Sequence, residues 1–129
     1  VCFPPGVAYP PQDLMYWLRQ PGALAIVAEE EAAGRIAGFT LARMVGKCEG
    51  HIVTIDLLPE YRRSGVATAL LESAHARLKE SGAASVRLET SVENAAGIAF
   101  FHKLGYRTEG RLPRYYLERI DAWQMSKEL

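Results

Sequence analysis

The sequence predicts an α/β domain, and three observations lead there. Short apolar runs rich in β-branched residues, such as Ile52 to Leu58, alternate with segments of helical period, such as Val66 to Leu78. Turn-forming residues separate them, at Pro21-Gly22, Gly46, Ser81-Gly82 and Gly105. The chain has 129 residues and 49% hydrophobic content, which suits one domain with a sizeable core. No repeat, low-complexity run or linker-like break divides it, so residues 1–129 are read as a single domain.

The elements follow in order. Pro4, Pro5 and Pro10 make the start an irregular loop. Gln12 to Gln20 reads as a short helix, opened by Pro11 and closed by Pro21-Gly22. Leu24 to Ala28 is a compact apolar strand, and a turn runs from Glu29 to Gly34. Arg35 to Val45 and Gly50 to Leu58 are strands, and Gly46 to Glu49 between them suggests a hairpin. A polar turn, Pro59 to Gly65, leads into a helix on which Val66, Ala67, Leu70, Leu71, Ala74 and Leu78 share one face. Ser81-Gly82 ends that helix. Ala84 to Thr90 is a strand with Val86 and Leu88 on one side. Asn94 to Leu104 is a second helix, capped by Asn94 and stopped by Gly105. Tyr106 to Arg111 and Tyr115 to Met125 are the last two strands.

Composition narrows the function classes. Fifteen basic residues balance fifteen acidic ones, so nothing electrostatic favours nucleic acid or an anionic membrane surface. No apolar run approaches the roughly 20 residues that a membrane helix needs. The start shows no basic region and no long apolar run of the signal-peptide kind. Cys2 and Cys48 lie far apart, without metal-ligand spacing, so no metal is expected and a reducing cytoplasm is the expected location.

The stretch from Ile52 to Leu71 carries the clearest chemistry. An apolar strand enters a turn with two arginines and a glycine, then passes directly into a helix. Amides at a helix start lack helical partners, and the helix dipole makes that end positive. Gly65 lets an anion approach the backbone, Ala67 keeps the first turn slim, and Arg62 and Arg63 can add charge-assisted hydrogen bonds. Pyrophosphate fits this chemistry. Taken alone, the stretch also fits an ordinary strand–turn–helix with solvated arginines. The Walker and GxGxxG patterns are absent.

Arg62-Arg63-Ser64-Gly65-Val66-Ala67 resembles the pyrophosphate signature of the GNAT superfamily of N-acetyltransferases, and Asn94 to Tyr106 resembles its second motif. The resemblance implies a mixed central sheet that splays around an acyl-CoA site, with helices flanking it. It implies acetyl-CoA as co-substrate, with Ile55, Asp56 and Leu57 offering backbone to pantetheine and residues Arg63 to Thr68 cradling the phosphates. Asn94 would touch the cofactor. Where the family often carries a tyrosine near the thioester sulfur, this chain has Phe101, which can pack but cannot donate a proton.

An amine must be neutral to attack a thioester, so a proton acceptor is needed. Glu89 ends one strand and His51 begins another, and two splayed strands would aim both at one cleft. The residues alone leave Glu89 open as a solvated strand end and His51 as a turn histidine. Leu88-Glu89-Thr90 with Asn94 downstream resembles the ribosomal-protein alanine and other N-terminal acetyltransferases of the family, which implies Glu89 as base, helped by His51. A backbone N–H near Leu57 would polarise the carbonyl. Arg114-Tyr115-Tyr116 and the Asp121-Ala122-Trp123 tail are similar to the ending of those enzymes, where paired tyrosines line the tunnel for a peptide N-terminus. Phe3, Pro4 and Tyr9 resemble the loop on its other side. On the residues alone, Tyr115 and Tyr116 could equally be strand residues, one buried and one exposed.

Family domains normally begin with a further strand and helix before the position of Phe3, so the domain is expected to be incomplete at its N-terminus. A lost edge strand would leave Leu24 to Ala28 unpaired. The cofactor motifs do not identify the acceptor. An N-terminal protein amine, a small amine such as a polyamine, amino acid or antibiotic, and a CoA-binding module without catalysis all remain open, as do monomer and homodimer.

Overall fold

A computed structural model describes residues 23–30, 35–62, 65–116 and 120–129. The helix expected at Gln12 to Gln20 and the site residues Phe3, Pro4, Tyr9, Arg63 and Ser64 lie outside this set, as does the side chain of Tyr116. The described residues form strands β1 (Ala23–Glu30), β2 (Arg35–Val45) and β3 (Glu49–Leu57), a 3-10 turn (Pro59–Tyr61), helix α1 (Val66–Glu80), strand β4 (Ser85–Ser91), helix α2 (Ala95–Lys103), and strands β5 (Arg107–Tyr116) and β6 (Ile120–Glu128). The six strands make one sheet in the order β1-β2-β3-β4-β6-β5. All neighbours are antiparallel except β3 and β4, which run parallel because α1 crosses between them. The α/β class and the mixed sheet are therefore as expected.

Periodicity explains the core. Leu70, Leu71, Ala74 and Leu78 fall on one face of α1 and are buried against β1, β2 and β3. The sheet answers with Ala42, Ile52, Val86, Leu88 and Met125, alternate residues that share its helix-facing side. Phe101 brings α2 into the same cluster. The opposite face carries the residues in between, and there Arg43, His51 and Arg87 stand side by side on β2, β3 and β4.

Two irregularities shape the site. Leu41 pairs with Thr54 and Ala42 with Ile52, so Val53 is an extra residue bulging from β3. At the same level β3 leaves β4. Their pairing covers only Glu49, Gly50 and His51 against Ser85, Val86 and Arg87, and beyond His51 the strands part.

One boundary differs from expectation. Tyr115 and Tyr116 close β5 and do not open the last strand, which starts at Ile120. Leu112-Pro113 looks like a strand end, because proline lacks the ladder donor. β5 is the last strand in the sheet order and its register is irregular between Leu112 and Tyr116, so Pro113 is accommodated within it.

Candidate active site

The carboxylate of Glu89 stands where β3 and β4 separate. It is only 8% exposed. Its Oε1 receives His51 Nε2 at 2.8 Å and the Tyr115 hydroxyl at 3.2 Å, while its Oε2 receives Arg87 Nη1 at 2.9 Å. Arg87 also donates through Nε to Glu49 Oε1 at 3.1 Å. Burial is the largest single influence on the Glu89 carboxyl and pushes its pKa up. Hydrogen bonds from His51 and Tyr115, the charge of Arg87 and the charge that His51 carries when protonated act against burial, and the balance holds the carboxyl below the usual carboxylate range. Glu89 is thus ionised at neutral pH and is a weak base.

His51 is 6% exposed, so it is a buried member of this network and not a turn residue. Its Nδ1 receives Arg43 Nε at 3.3 Å. Tyr115 is 44% exposed, with its hydroxyl on Glu89 and its ring open to whatever enters beside the carboxylate. His51 and Glu89 meet because each sits on the same face of adjacent parallel strands, and Tyr115 reaches them from the far edge of the sheet.

A cleft of about 640 Å³ opens between the end of β3, the start of α1 and α2. Leu57 at the end of β3, Arg62, Gly65, Ala67 and Thr68 line one side of it. Gly65 has φ +86°, a left-handed conformation that suits glycine, and precedes the first residue of α1. The free amides of that helix start and Arg62 make this side receptive to anions. Ala96, Phe100 and Lys103 of α2 form the other side, and Lys103 adds a second cation. Sequence reasoning missed these three, although their spacing along one helix stripe is a readable signal.

The remaining expected residues divide. Asp56 and Ile55 lie on β3 just before Leu57, with Ile55 turned into the core and Asp56 Oδ2 accepting from Thr54 Oγ1 at 2.9 Å. Val66 begins α1. Asn94 caps α2, its Oδ1 accepting the Gly97 amide at 3.0 Å while its Nδ2 donates to Thr90 at 3.3 Å. Phe101 is a correction: it is fully buried and packs edge-on against Tyr106 with ring centroids 5.8 Å apart. Phe100, roughly 100° around the helix, takes the place at the cleft. Among the described residues, no group of three or more His, Cys, Asp or Glu side chains could hold a metal.

The described residues thus form an α/β domain with a parted mixed sheet, a helix start facing an anion-receptive cleft and a buried carboxylate where two strands separate. The chain belongs to the acetyltransferase (GNAT) family, whose model matches residues 1–106. An N-alpha-acetyltransferase 30 of Schizosaccharomyces pombe is 39% identical over 75 residues, covering 58% of this chain and 50% of that protein. The chain therefore spans about half the length of that relative. An N-alpha-acetyltransferase of Sulfurisphaera tokodaii is 33% identical over 135 residues, covering 94% of this chain and 78% of that one. The crystal structure of the ribosomal-protein-S18-alanine N-acetyltransferase from Escherichia coli superimposes with a TM-score of 0.84 at 26% identity, covering 96% of this chain and 79% of that one.

Proposed function

We propose that this chain transfers the acetyl group of acetyl-CoA to the N-terminal α-amine of a protein or peptide. The observation that carries the reading is Glu89: ionised, buried, fixed by three donors and placed at the parting of β3 and β4. The relatives named as N-alpha-acetyltransferases support the same acceptor.

The cleft suits acetyl-CoA. The start of α1 with Arg62 and Lys103 would take the phosphates, with Arg63, Ser64 and Asn94 assigned to the same end. The backbone of Ile55 to Leu57, on the side where β4 has moved away, would pair with the pantetheine amides. Phe100 would pack on the arm. Acetyl-CoA supplies an activated acyl carbon and a thiolate leaving group.

The weakness of Glu89 as a base favours an α-amine. At pH 7 roughly one α-amine in ten is neutral, against about one lysine side chain in 2,500. An α-amine arrives with enough neutral form to attack, so the carboxylate need only take the proton that becomes acidic once the N–C bond forms. The C–S bond then breaks, and the thiolate, derived from a thiol of pKa about 8.5, takes its proton from water. That step needs no acid at Phe101. Attack is direct, without an acyl-enzyme. Tyr115, with Tyr116 and the Phe3–Tyr9 segment, is assigned to the acceptor side. The exposed thiol of Cys48 fits a reducing, cytoplasmic location.

The test is thiol release from acetyl-CoA with peptides of different N-terminal residues, beside an N-terminally blocked peptide carrying lysine. Release that requires a free α-amine supports the reading. Release with polyamines or amino acids alone replaces it by the small-amine reading. Saturable CoA binding without release on any amine replaces it by a binding module.

A further inference from the structure

Arg43 has no part in the chemistry described so far, yet it touches the centre of the network. Arg43 of β2, His51 of β3 and Arg87 of β4 occupy one row across three adjacent strands. Arg43 Nε lies 3.3 Å from His51 Nδ1, and the other ring nitrogen, Nε2, lies 2.8 Å from Glu89 Oε1. An arginine can only donate. The lone pair of Nδ1 is therefore the acceptor, and the single proton of a neutral imidazole resides on Nε2, where it is given to the carboxylate. A second proton on Nδ1 would face the guanidinium directly. Around the ring, Arg43 comes from β2, Glu89 and Arg87 from β4, and Tyr115 from β5, with both Tyr115 and Arg87 donating to Glu89.

We propose that Arg43 is a positioning residue of this active site, which holds His51 as the neutral Nε2–H tautomer and thereby aims and charges Glu89. In this arrangement His51 is a donor to the base and not a base itself, since both its nitrogens are committed. This refines the pair of catalytic candidates into one proton acceptor, Glu89, and one orienting imidazole. The kinetic part of the inference rests on the acetyl-transfer reading, whereas the tautomer does not.

The experiment uses the full chain with ¹⁵N-labelled histidine, and compares wild type with Arg43→Met and Arg43→Lys. Two-bond ¹⁵N–¹H spectra read the protonation of each ring nitrogen, and steady-state kinetics with the best peptide read turnover. The expected wild-type spectrum shows His51 with Nε2 protonated and Nδ1 bare at neutral pH. Arg43→Met should abolish that single state and lower kcat at least about tenfold with the acetyl-CoA KM unchanged, whereas Arg43→Lys, which keeps charge and donor, should restore both in large part. A wild-type ring protonated on Nδ1 overturns the proposal. So does an Arg43→Met protein whose His51 spectrum is unchanged, even if its activity falls, because that marks a merely structural arginine. Failure to acetylate any peptide would sink the functional reading while leaving the spectra to judge Arg43 on their own.

Discussion

Glu89 combines two properties that usually conflict in a base: it is buried and it is weakly basic. Desolvation alone would make it a better acceptor, but three donors reverse that. Glu89→Gln keeps the shape and removes the charge. We expect turnover to fall at least about tenfold, the low end of general-base effects, with CoA affinity almost unchanged. Equal turnover in the two proteins would remove Glu89 from the mechanism. The same weakness fixes a pH profile. Because the carboxyl stays ionised to below its ordinary range, kcat/KM should rise with pH as the α-amine loses its proton and level off above about pH 8. A break in the ordinary carboxylate range would contradict the assignment. The residues alone left Glu89 as a strand end and His51 as a turn histidine, and the resemblance put both at one site; the register that sets His51 beside Arg87 is what brings them together. Arg43 and Arg87 were not legible, because their contribution depends on the register between strands that are distant in sequence. Nor could neighbouring Phe100 and Phe101 be told apart by type. Only the packing of Phe101 on Tyr106 decides which ring faces the cleft.

At the level of elements, the gap between β3 and β4 depends on how closely β2 holds β3. Gly38 of β2 pairs with Leu57, and a Cβ at Gly38 would lie 2.5 Å from the Asp56 carbonyl oxygen and 2.4 Å from Leu57 Cδ2. The first of these is backbone and cannot swing aside. Gly38→Ala should push Asp56 and Leu57 outward, cost roughly 1–3 kcal/mol in urea unfolding and raise the acetyl-CoA KM. An unchanged KM would show that this end of β3 does not hold the coenzyme. Helix α1 was readable from its 3.6-residue stripe, and its start from the turn chemistry around Gly65. The end of β5 was not, because Pro113 is an edge-strand feature and only the sheet order reveals which strand is the edge.

For the molecule as a whole, a buried histidine contributes to the sensitivity of the fold to acid. His75 of α1 is packed in the interior with Nε2 2.6 Å from the Tyr106 hydroxyl. Burial, aided by the charge of Lys127, lowers its pKa from 6.5 to about 4. The unfolded chain therefore takes up a proton first as pH falls. Stability from this group is intact above pH 6.5 and declines toward pH 4, by roughly 2 kcal/mol between pH 7 and pH 5. His75→Gln, which keeps a hydrogen-bonding side chain without the titration, should flatten that part of the curve in urea melts at the two pH values. An equally steep variant would place the acid sensitivity elsewhere. Glu89 adds its own loss from the ordinary carboxylate range downward, as pH falls toward its lowered pKa.

The short pairing of β3 with β4 makes the sheet unfinished on the side where we assign the pantetheine arm. A ligand that hydrogen-bonds there serves as a missing strand, so occupancy and folding become linked. Thermal midpoints should climb with the logarithm of coenzyme concentration once the site is saturated. The acetyl group contributes little to that repair, since free CoA carries the same arm and phosphates. The spent coenzyme then completes the sheet as well as the loaded one, and turnover under high CoA becomes a contest between two equally good staves for the same gap.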